Sequence, residues 1–297
     1  MSFSIVTPSF RQPEWLRLCL GSVADQVAGA DGNEDRAGAD VAVTVDHVVQ
    51  DACSGEAVRA VCAEFPNVRL FQERDAGMYD AVNRGWRRGT GEICAYLNCD
   101  EQYLPGALAA VQEYFEQHPE VDLLFGDVIV VDATGQYVCS RRVLTPRKHH
   151  TQVCHLNTYT AGMFFRRRLL EDPTGFFDTK WRNYGDAVWV LGMIERGVRM
   201  AVLRRYLSVF TDTGANMNLN DEGRQEFASL RGSAAPWVRA LAPLWVAHHR
   251  GRRLVHGLYE RSPLEYRIYT SATPTRRACF QVEKSTPIWR DRLAWTR

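Results

Sequence analysis

The sequence predicts an α/β protein built on a mainly parallel sheet flanked by helices, and two observations carry that expectation. Short apolar, β-branched runs alternate with amphipathic helical stretches from the first residues to about 117, the pattern whose right-handed crossovers build such a sheet. At 297 residues, 45% of them hydrophobic, the chain can also bury one substantial core and still carry an appendage.

The elements follow in order. SFSIVTPSF reads as a buried strand ended by Pro8, and PEWLRLCLGSVADQ as a helix with Trp15, Leu18, Cys19 and Val23 on one face. VAGADGNEDRAGAD, rich in Gly, Ala and acid and without periodicity, is expected to be an exposed loop without chemistry. VAVTVDHVVQD is a second strand, followed by a helix near 54–65, the short strand VRLFQE, a helix near 77–89 and a fourth strand, EICAYLN. After a helix near 104–117 come the strands VDLLFGDVIVVD and QYVCSRR, joined by a turn at Ala133-Thr134-Gly135, and later a helix near 185–196. Helical stretches punctuated by Pro236, Pro243, Pro263, Pro274 and Pro287 are expected beyond 220. The organisation expected is a body over 1–220 and a mostly helical extension over 221–297.

The formal net charge of +1 hides an asymmetry: residues 221–297 hold 14 Lys plus Arg against 7 Asp plus Glu, a net +7, which leaves the first 220 residues at −6. No nucleic-acid motif accompanies the basic tail, so nucleic acid is not an expected partner. The eight cysteines form no CxxC pair and read as free thiols in a reducing compartment. MSFSIVTPSF lacks the basic and apolar regions of an export signal, and no stretch is long and apolar enough to span a membrane. A cytoplasmic location is expected.

In a parallel sheet, ligands bind beyond the carboxyl ends of the strands. Thr7-Pro8-Ser9-Phe10, Gln50-Asp51-Ala52-Cys53-Ser54 and Asn98-Cys99-Asp100-Glu101 are three such ends. Asp100 and Glu101 could reach a hard divalent cation, or could be solvated acids in a turn ahead of Pro105; the pair alone does not decide. A dinucleotide-binding oxidoreductase would need a Gly-rich turn after the first strand, and TPSFRQPEW has none. His149, His150, Cys154 and His155 fit no familiar zinc spacing. Trp86, Trp181 and Trp189 read first as core or rim residues, with Trp181, just upstream of Asp186, the one placed to stack on a ligand ring.

The stretch RDAGMYDAVNRGWRRGTGEICAYLNCDEQYLPGAL resembles the segment that identifies family 2 glycosyltransferases of the GT-A fold. The matches stand in one register at Asp75, Gly77, Tyr79, Asp80, Ala81, Asn83, Gly85, Thr90, Gly91, Glu92, Leu97, Asn98, Asp100, Pro105 and Gly106. SIVTPSF and HVVQDACS are similar to the family's first two strand ends, TAGMFFRR to its acceptor-side strand, and NYGDAVWVLGMIERGVRM to the helix that an acidic pair opens. The similarity runs from about residue 2 to 215.

What the resemblance implies is a GT-A transferase taking a nucleoside-diphosphate sugar, a UDP-sugar in the first instance, as donor. It would pass the sugar, with inversion, to a hydroxyl of a glycan or polyprenyl-linked acceptor. Thr7, Ser9, Asp51, Asp75 and Asn98 would line the nucleoside side, Asp100 would ligate Mn²⁺ or Mg²⁺, and Asp186 would be the general base. An Asp at that helix start could equally cap the helix, and both roles can coexist. Asn98, Glu101 and Gly185 stand where the family usually has Asp or another acid, and Ala52 where Gly is usual. Those replacements keep open the alternative of a catalytically impaired, nucleotide-binding scaffold in a glycan-assembly complex. The basic tail reads either as a solvated helical face or as a surface for anionic lipid on the inner face of the cytoplasmic membrane. In the second case Trp237, Leu241, Leu244 and Trp245 are expected to dock inward while Arg250, Arg252 and Arg253 face out.

Overall fold

The computed structural model describes residues 1–27, 43–214 and 221–289. It opens with the expected alternation: β1 (Ser2–Ser9), α1 (Pro13–Val27), β2 (Thr44–Asp51), α2 (Glu56–Ala63), β3 (Val68–Gln72), α3 (Met78–Arg88) and β4 (Ile93–Tyr96). Then follow β5 (Glu101–Tyr103), α4 (Ala107–Gln117), β6 (Leu123–Asp132), β7 (Tyr137–Arg141), α5 (Lys148–Val153), β8 (Met163–Arg166), α6 (Gly185–Glu195) and β9 (Met200–Asp212). The expected loop after α1 lies outside the described residues from position 28 onward, as does the expected boundary at 220.

These strands form one sheet in the order β3-β2-β1-β4-β8-β6-β9-β5, with β7 added beside β6. β1 to β4 are mutually parallel, β8 is antiparallel to β4 and β6, and β9 runs parallel to β6. Six of the nine strands therefore point the same way, and the carboxyl ends of β1, β2, β3 and β4 meet along one edge, with Ser9 opposite Asp51.

Alternation along β1 divides the core. Phe3 and Ile5 face α1 and α4, where Cys19, Val23, Leu108, Val111 and Phe115 close one layer. Val6 faces α3 and α6, where Tyr79, Val82, Trp86, Trp189 and Met193 close the other. Trp86 stacks on Phe177 at 5.0 Å and donates to the Ala95 carbonyl, and Trp189 donates to the Gly175 carbonyl, so both are core residues. Two matched motif residues act in the same layer. Asn83 exchanges two bonds with the backbone of Phe177, and a Cβ on Gly91 would lie 2.2 Å from the Phe3 backbone.

Three elements were not legible in the sequence. β5 is only three residues long, α5 starts inside the His-rich stretch, and β9 carries Arg204 and Arg205 in its middle, which breaks the apolar pattern of a buried strand. Arg204 is there because it reaches the buried Asp127 at 2.7 Å.

Beyond 220 lie α7 (Asp221–Gly232), α8 (Pro236–Ala240) and α9 (Ala242–Val255), then a hairpin of β10 (Leu264–Thr270) and β11 (Thr273–Val282) that the expected helices did not include. The hairpin packs Tyr266 and Ile268 on Leu104, Ile129 and Val209. Arg277 pairs with Asp25 of α1 at 2.6 Å. The tail's polarity departs from the expectation at five of its seven residues, while Trp245 packs inward and Arg250 faces out as expected. Trp237, at 54% exposure, and Leu241 and Leu244 face outward, as do Leu254 and Val255. Arg253 is buried and donates to the Arg142 carbonyl, and Arg252 donates to Thr145; of the three arginines, only Arg250 is exposed. The buried Val238, with the half-buried Trp245, packs on Val153 of α5. The physical reason is that the segment between β7 and α5 offers the carbonyls of Arg142 and Thr145 to the long arginines, while Val153 of α5 gives a small apolar seat that suits Val238 better than bulky Trp237. No helix among the described residues is long and apolar enough to cross a membrane.

Candidate functional site

The edge formed by the carboxyl ends of β1 to β4 gathers the acids singled out above. Asp51 ends β2 and is fully buried; it accepts from the Ser54 amide at 2.8 Å, the Ser54 hydroxyl at 2.5 Å and Gln72 Nε2 at 3.1 Å. The turn it closes holds Cys53 at φ 60°, a left-handed conformation that a non-glycine residue rarely adopts. Asp75, just past β3, accepts from the Gly77 amide at 2.9 Å and is half-buried. Burial raises its carboxyl above the ordinary range, and the charge of Asp51 adds to the rise. These two acids therefore share one end of the edge.

Two residues assigned to the nucleoside side are tied into the protein. Thr7 turns beneath α1, where its hydroxyl meets His47 Nε2 at 2.9 Å and Cys19 Sγ at 3.6 Å. Its geometry is that of a support for β1. Ser9 is buried beside Cys99, whose thiol donates to the Pro8 carbonyl. Asn98 is half-buried, and its backbone N–H donates to Glu101 Oε2 at 2.9 Å.

The other end of the edge is different in kind. Asp100 is half-buried, and Glu101 begins β5 with only 1% of its surface exposed. Burial raises both carboxyls above the ordinary range; Asp100 acts on Glu101 in the same direction, and Asp186 adds to it. Glu101 Oε1 has no hydrogen-bond partner among the described residues. Asp186 sits in the first turn of α6, where burial pushes its carboxyl up to about 6. Its Oδ1 accepts from the Ala187 amide at 2.8 Å and, at a long 3.4 Å, from the Tyr79 hydroxyl, which itself accepts from the Asp186 amide at 3.1 Å. Glu101 thus feels both Asp100 and Asp186, and none of the three has an ion-pair partner among the described residues. The three do not form a single ligand cluster, but a divalent cation on Asp100 would supply the positive charge that burial and mutual repulsion call for.

Two contributors were missed in the sequence. Tyr79 belongs to the matched motif but gave no sign that its hydroxyl reaches across 107 positions to Asp186. It also accounts for Gly185: a Cβ there would lie 2.5 Å from the Tyr79 ring, so an acid at 185 would displace the residue that holds Asp186. Glu226 of α7 takes the backbone amides of Arg182, Asn183 and Tyr184 at 2.7, 2.8 and 3.0 Å, fixing the loop that leads into α6. Nothing local in the sequence around 226 signals this contact. Trp181 lies half-buried in that loop, with Lys180 5.9 Å above its ring.

The geometry agrees with what known proteins show. A family model described as glycosyl transferase family 2 matches residues 4–174. Over 193 residues the chain is 32% identical to a PGL/p-HBAD biosynthesis glycosyltransferase of Mycobacterium tuberculosis, covering 62% of this chain and 66% of that protein. It is 28% identical over 150 residues to the amylovoran biosynthesis glycosyltransferase AmsE of Erwinia amylovora, covering 50% and 53%. The chain thus spans just under two thirds, 66%, of the length of the mycobacterial relative. Among solved structures, S. aureus TarS 1-349 in complex with UDP-GlcNAc superposes with a TM-score of 0.56 at 17% identity, covering 86% of this chain and 73% of that one. The mannosyltransferase PcManGT of Pyrobaculum calidifontis, in complex with GDP-Man and Mn2+, gives 0.50 at 18% identity, covering 86% and 79%. At these identities the likeness shows the fold, the GT-A arrangement.

Proposed function

This chain belongs to glycosyl transferase family 2, and from that premise we propose that it moves a sugar from a nucleoside-diphosphate donor, a UDP-sugar first, to a hydroxyl of a glycan or polyprenyl-linked acceptor with inversion. The observation that carries the proposal is that Glu101, buried past β4, feels both Asp100 and the Asp186 of α6, with all three carboxyls raised by burial and none ion-paired among the described residues. The UDP-GlcNAc and Mn2+ complexes of the structural relatives are consistent with such a donor and such a cation.

In this reading Asp51, Asp75 and Asn98 form the nucleoside side, with Ser9 beside them and Thr7 bracing β1 from below. Asp100 would hold Mn²⁺ or Mg²⁺, which supplies charge neutralisation for the diphosphate. Asp186 takes the proton from the acceptor hydroxyl. The hydroxyl oxygen bonds to the anomeric carbon from the face opposite the diphosphate, and the breaking C–O bond leaves its electron pair on the diphosphate. Tyr79 fixes the Asp186 backbone, and one carboxylate oxygen has no hydrogen-bond partner among the described residues. A carboxyl near 6 is ionised at neutral pH yet basic enough to accept a proton. Gly185 supports this active reading over an inactive scaffold, since its lack of a side chain is what admits Tyr79.

The proposal extends to location and organisation. The body over 1–220 carries the chemistry, and the extension over 221–297 braces it and presents Trp237, Leu241, Leu244, Leu254 and Val255 beside Arg250 to an anionic membrane surface on the cytoplasmic side. Incubating the full chain with a panel of nucleotide sugars and synthetic lipid-linked acceptors tests the transfer itself. Product formation with one donor supports it; donor binding without hydrolysis or transfer across the panel favours the scaffold.

A further inference from the structure

We infer that His150 and His155, from α5 and the turn after it, and His249, from α9, form a three-imidazole site for a first-row divalent cation of the zinc type. The inference is independent of the donor site, because none of its residues lies on the carboxyl edge of β1 to β4.

The ligand nitrogens of the three side chains all lie within 4.8 Å of one another. His150 and His249 are buried, at 3% and 6% exposure, and neither ring nitrogen of His150 has a hydrogen-bond partner among the described residues. A buried imidazole carries one donor and one acceptor, and leaving both without partners is costly. Something that takes a nitrogen lone pair relieves that cost.

The donor set selects the ion. Three imidazoles without a carboxylate or thiolate suit zinc, cobalt, nickel or copper rather than Mg²⁺ or Mn²⁺. With N–metal bonds of about 2.0–2.1 Å, ligand nitrogens of a tetrahedral site stand roughly 3.4 Å apart, so the cluster must tighten by about 1.5 Å at most. The His150 and His249 rings stack at 4.1 Å with 16° between their planes, while His155 is nearly perpendicular to both, at 74° and 81°. Two stacked rings cannot aim in-plane lone pairs at one ion, so one of them turns about its broad second torsion on binding. His155 is the exposed member and leaves solvent access for a fourth ligand, water.

The charges nearby weigh the other way and set a limit on affinity. Arg141, Arg252 and Arg253 surround the cluster. Each is engaged elsewhere: Arg252 with Thr145, Arg253 with the Arg142 carbonyl and the Tyr259 ring, Arg141 with the Pro287 carbonyl and the Tyr159 ring. They oppose an added dication, more strongly than they would oppose a proton. Linear spacing hides the site because its third ligand stands 94 positions beyond the second. Cys154 faces the Ala242 carbonyl and His149 sits against Trp237 and Trp245, so the two neighbours that complicate the local pattern take no part.

The test is calorimetric titration of Zn²⁺ into the chelator-treated full chain without nucleotide. One ion per chain is expected, with a rise in melting temperature that follows binding. His155→Gln, at the exposed position, and His249→Gln should each weaken binding by about tenfold or more, whereas Asp100→Asn should leave it unchanged. Should His249→Gln fail to fold, His155→Gln decides. Absence of stoichiometric binding, binding that survives both histidine substitutions, or binding lost only in Asp100→Asn would overturn the inference.

Discussion

Two ends of one sheet edge carry acids of the same chemistry in opposite states. At the β2 end, Asp51 is buried with three donors on its carboxylate, and its position is electrostatically finished. At the β4 end, Glu101 is equally buried, but one oxygen has no partner, its neighbours are Asp100 and Asp186, and burial holds its proton. The difference teaches that burial of an acid does not by itself call for a cation. What separates the two is whether the protein supplies the compensating donors or leaves them to be brought in.

The largest test of that contrast is Asp186→Asn. An amide preserves the oxygen that accepts from the Ala187 amide but cannot accept the hydroxyl proton, so turnover is expected to fall about a hundredfold or more with UDP affinity and melting temperature little changed. Kinetics, calorimetry and a melting curve on one preparation read all three. Turnover of the wild type should itself rise with pH through about 6 as Asp186 ionises. Glu226→Gln comes next. Its NH2 would replace one of the two acceptor oxygens and set hydrogens against at least one of the three backbone donors of 182–184, loosening the approach to α6, and kcat is expected to drop about tenfold while UDP affinity holds. A loss of UDP affinity instead would place that loop on the donor side.

At the finished end, Asp51→Asn should lower stability by about 1–3 kcal/mol, since an amide group would face donors that now have an acceptor; denaturant unfolding measures it. A further test is a pH dependence. Glu101 keeps its proton in the folded state up to about 8, while the unfolded chain releases it near the ordinary carboxylate range. The folded state therefore binds more protons between those values, and this group's contribution to stability falls as pH rises through the window. Glu101→Gln should flatten the fall in melting temperature between pH 5 and pH 8 relative to wild type, and Mn²⁺ should flatten it in the wild type. Parallel curves for the two proteins would show that Glu101 does not carry the strain.

The parallel half of the sheet was legible because β1 to β4 and their helices obey simple periodicities, and Gly85, Gly91 and Asn83 of the motif stand at positions that close packing dictates. Asp100 and Asp186 were legible as types at strand and helix ends. Their partnership was not. The Tyr79 hydroxyl, the three amides on Glu226 and the inward turn of Arg252 and Arg253 all depend on contacts between distant segments, which no local pattern records. The outward Trp237 shows the same limit from the other side. Helical spacing said that Trp237, Leu241 and Leu244 share a face, but only the packing of α8 and α9 on α5 decides which way that face points.

The account rests on the unfinished acidic end being completed by a cation that comes with the donor. Calorimetric titration of UDP in Mn²⁺ and in chelator, on wild type and Asp100→Ala, addresses it directly. UDP should bind the wild type at least about tenfold more tightly with Mn²⁺, and the substitution should abolish that gain. Equal UDP affinity with and without the metal in the wild type would contradict the account.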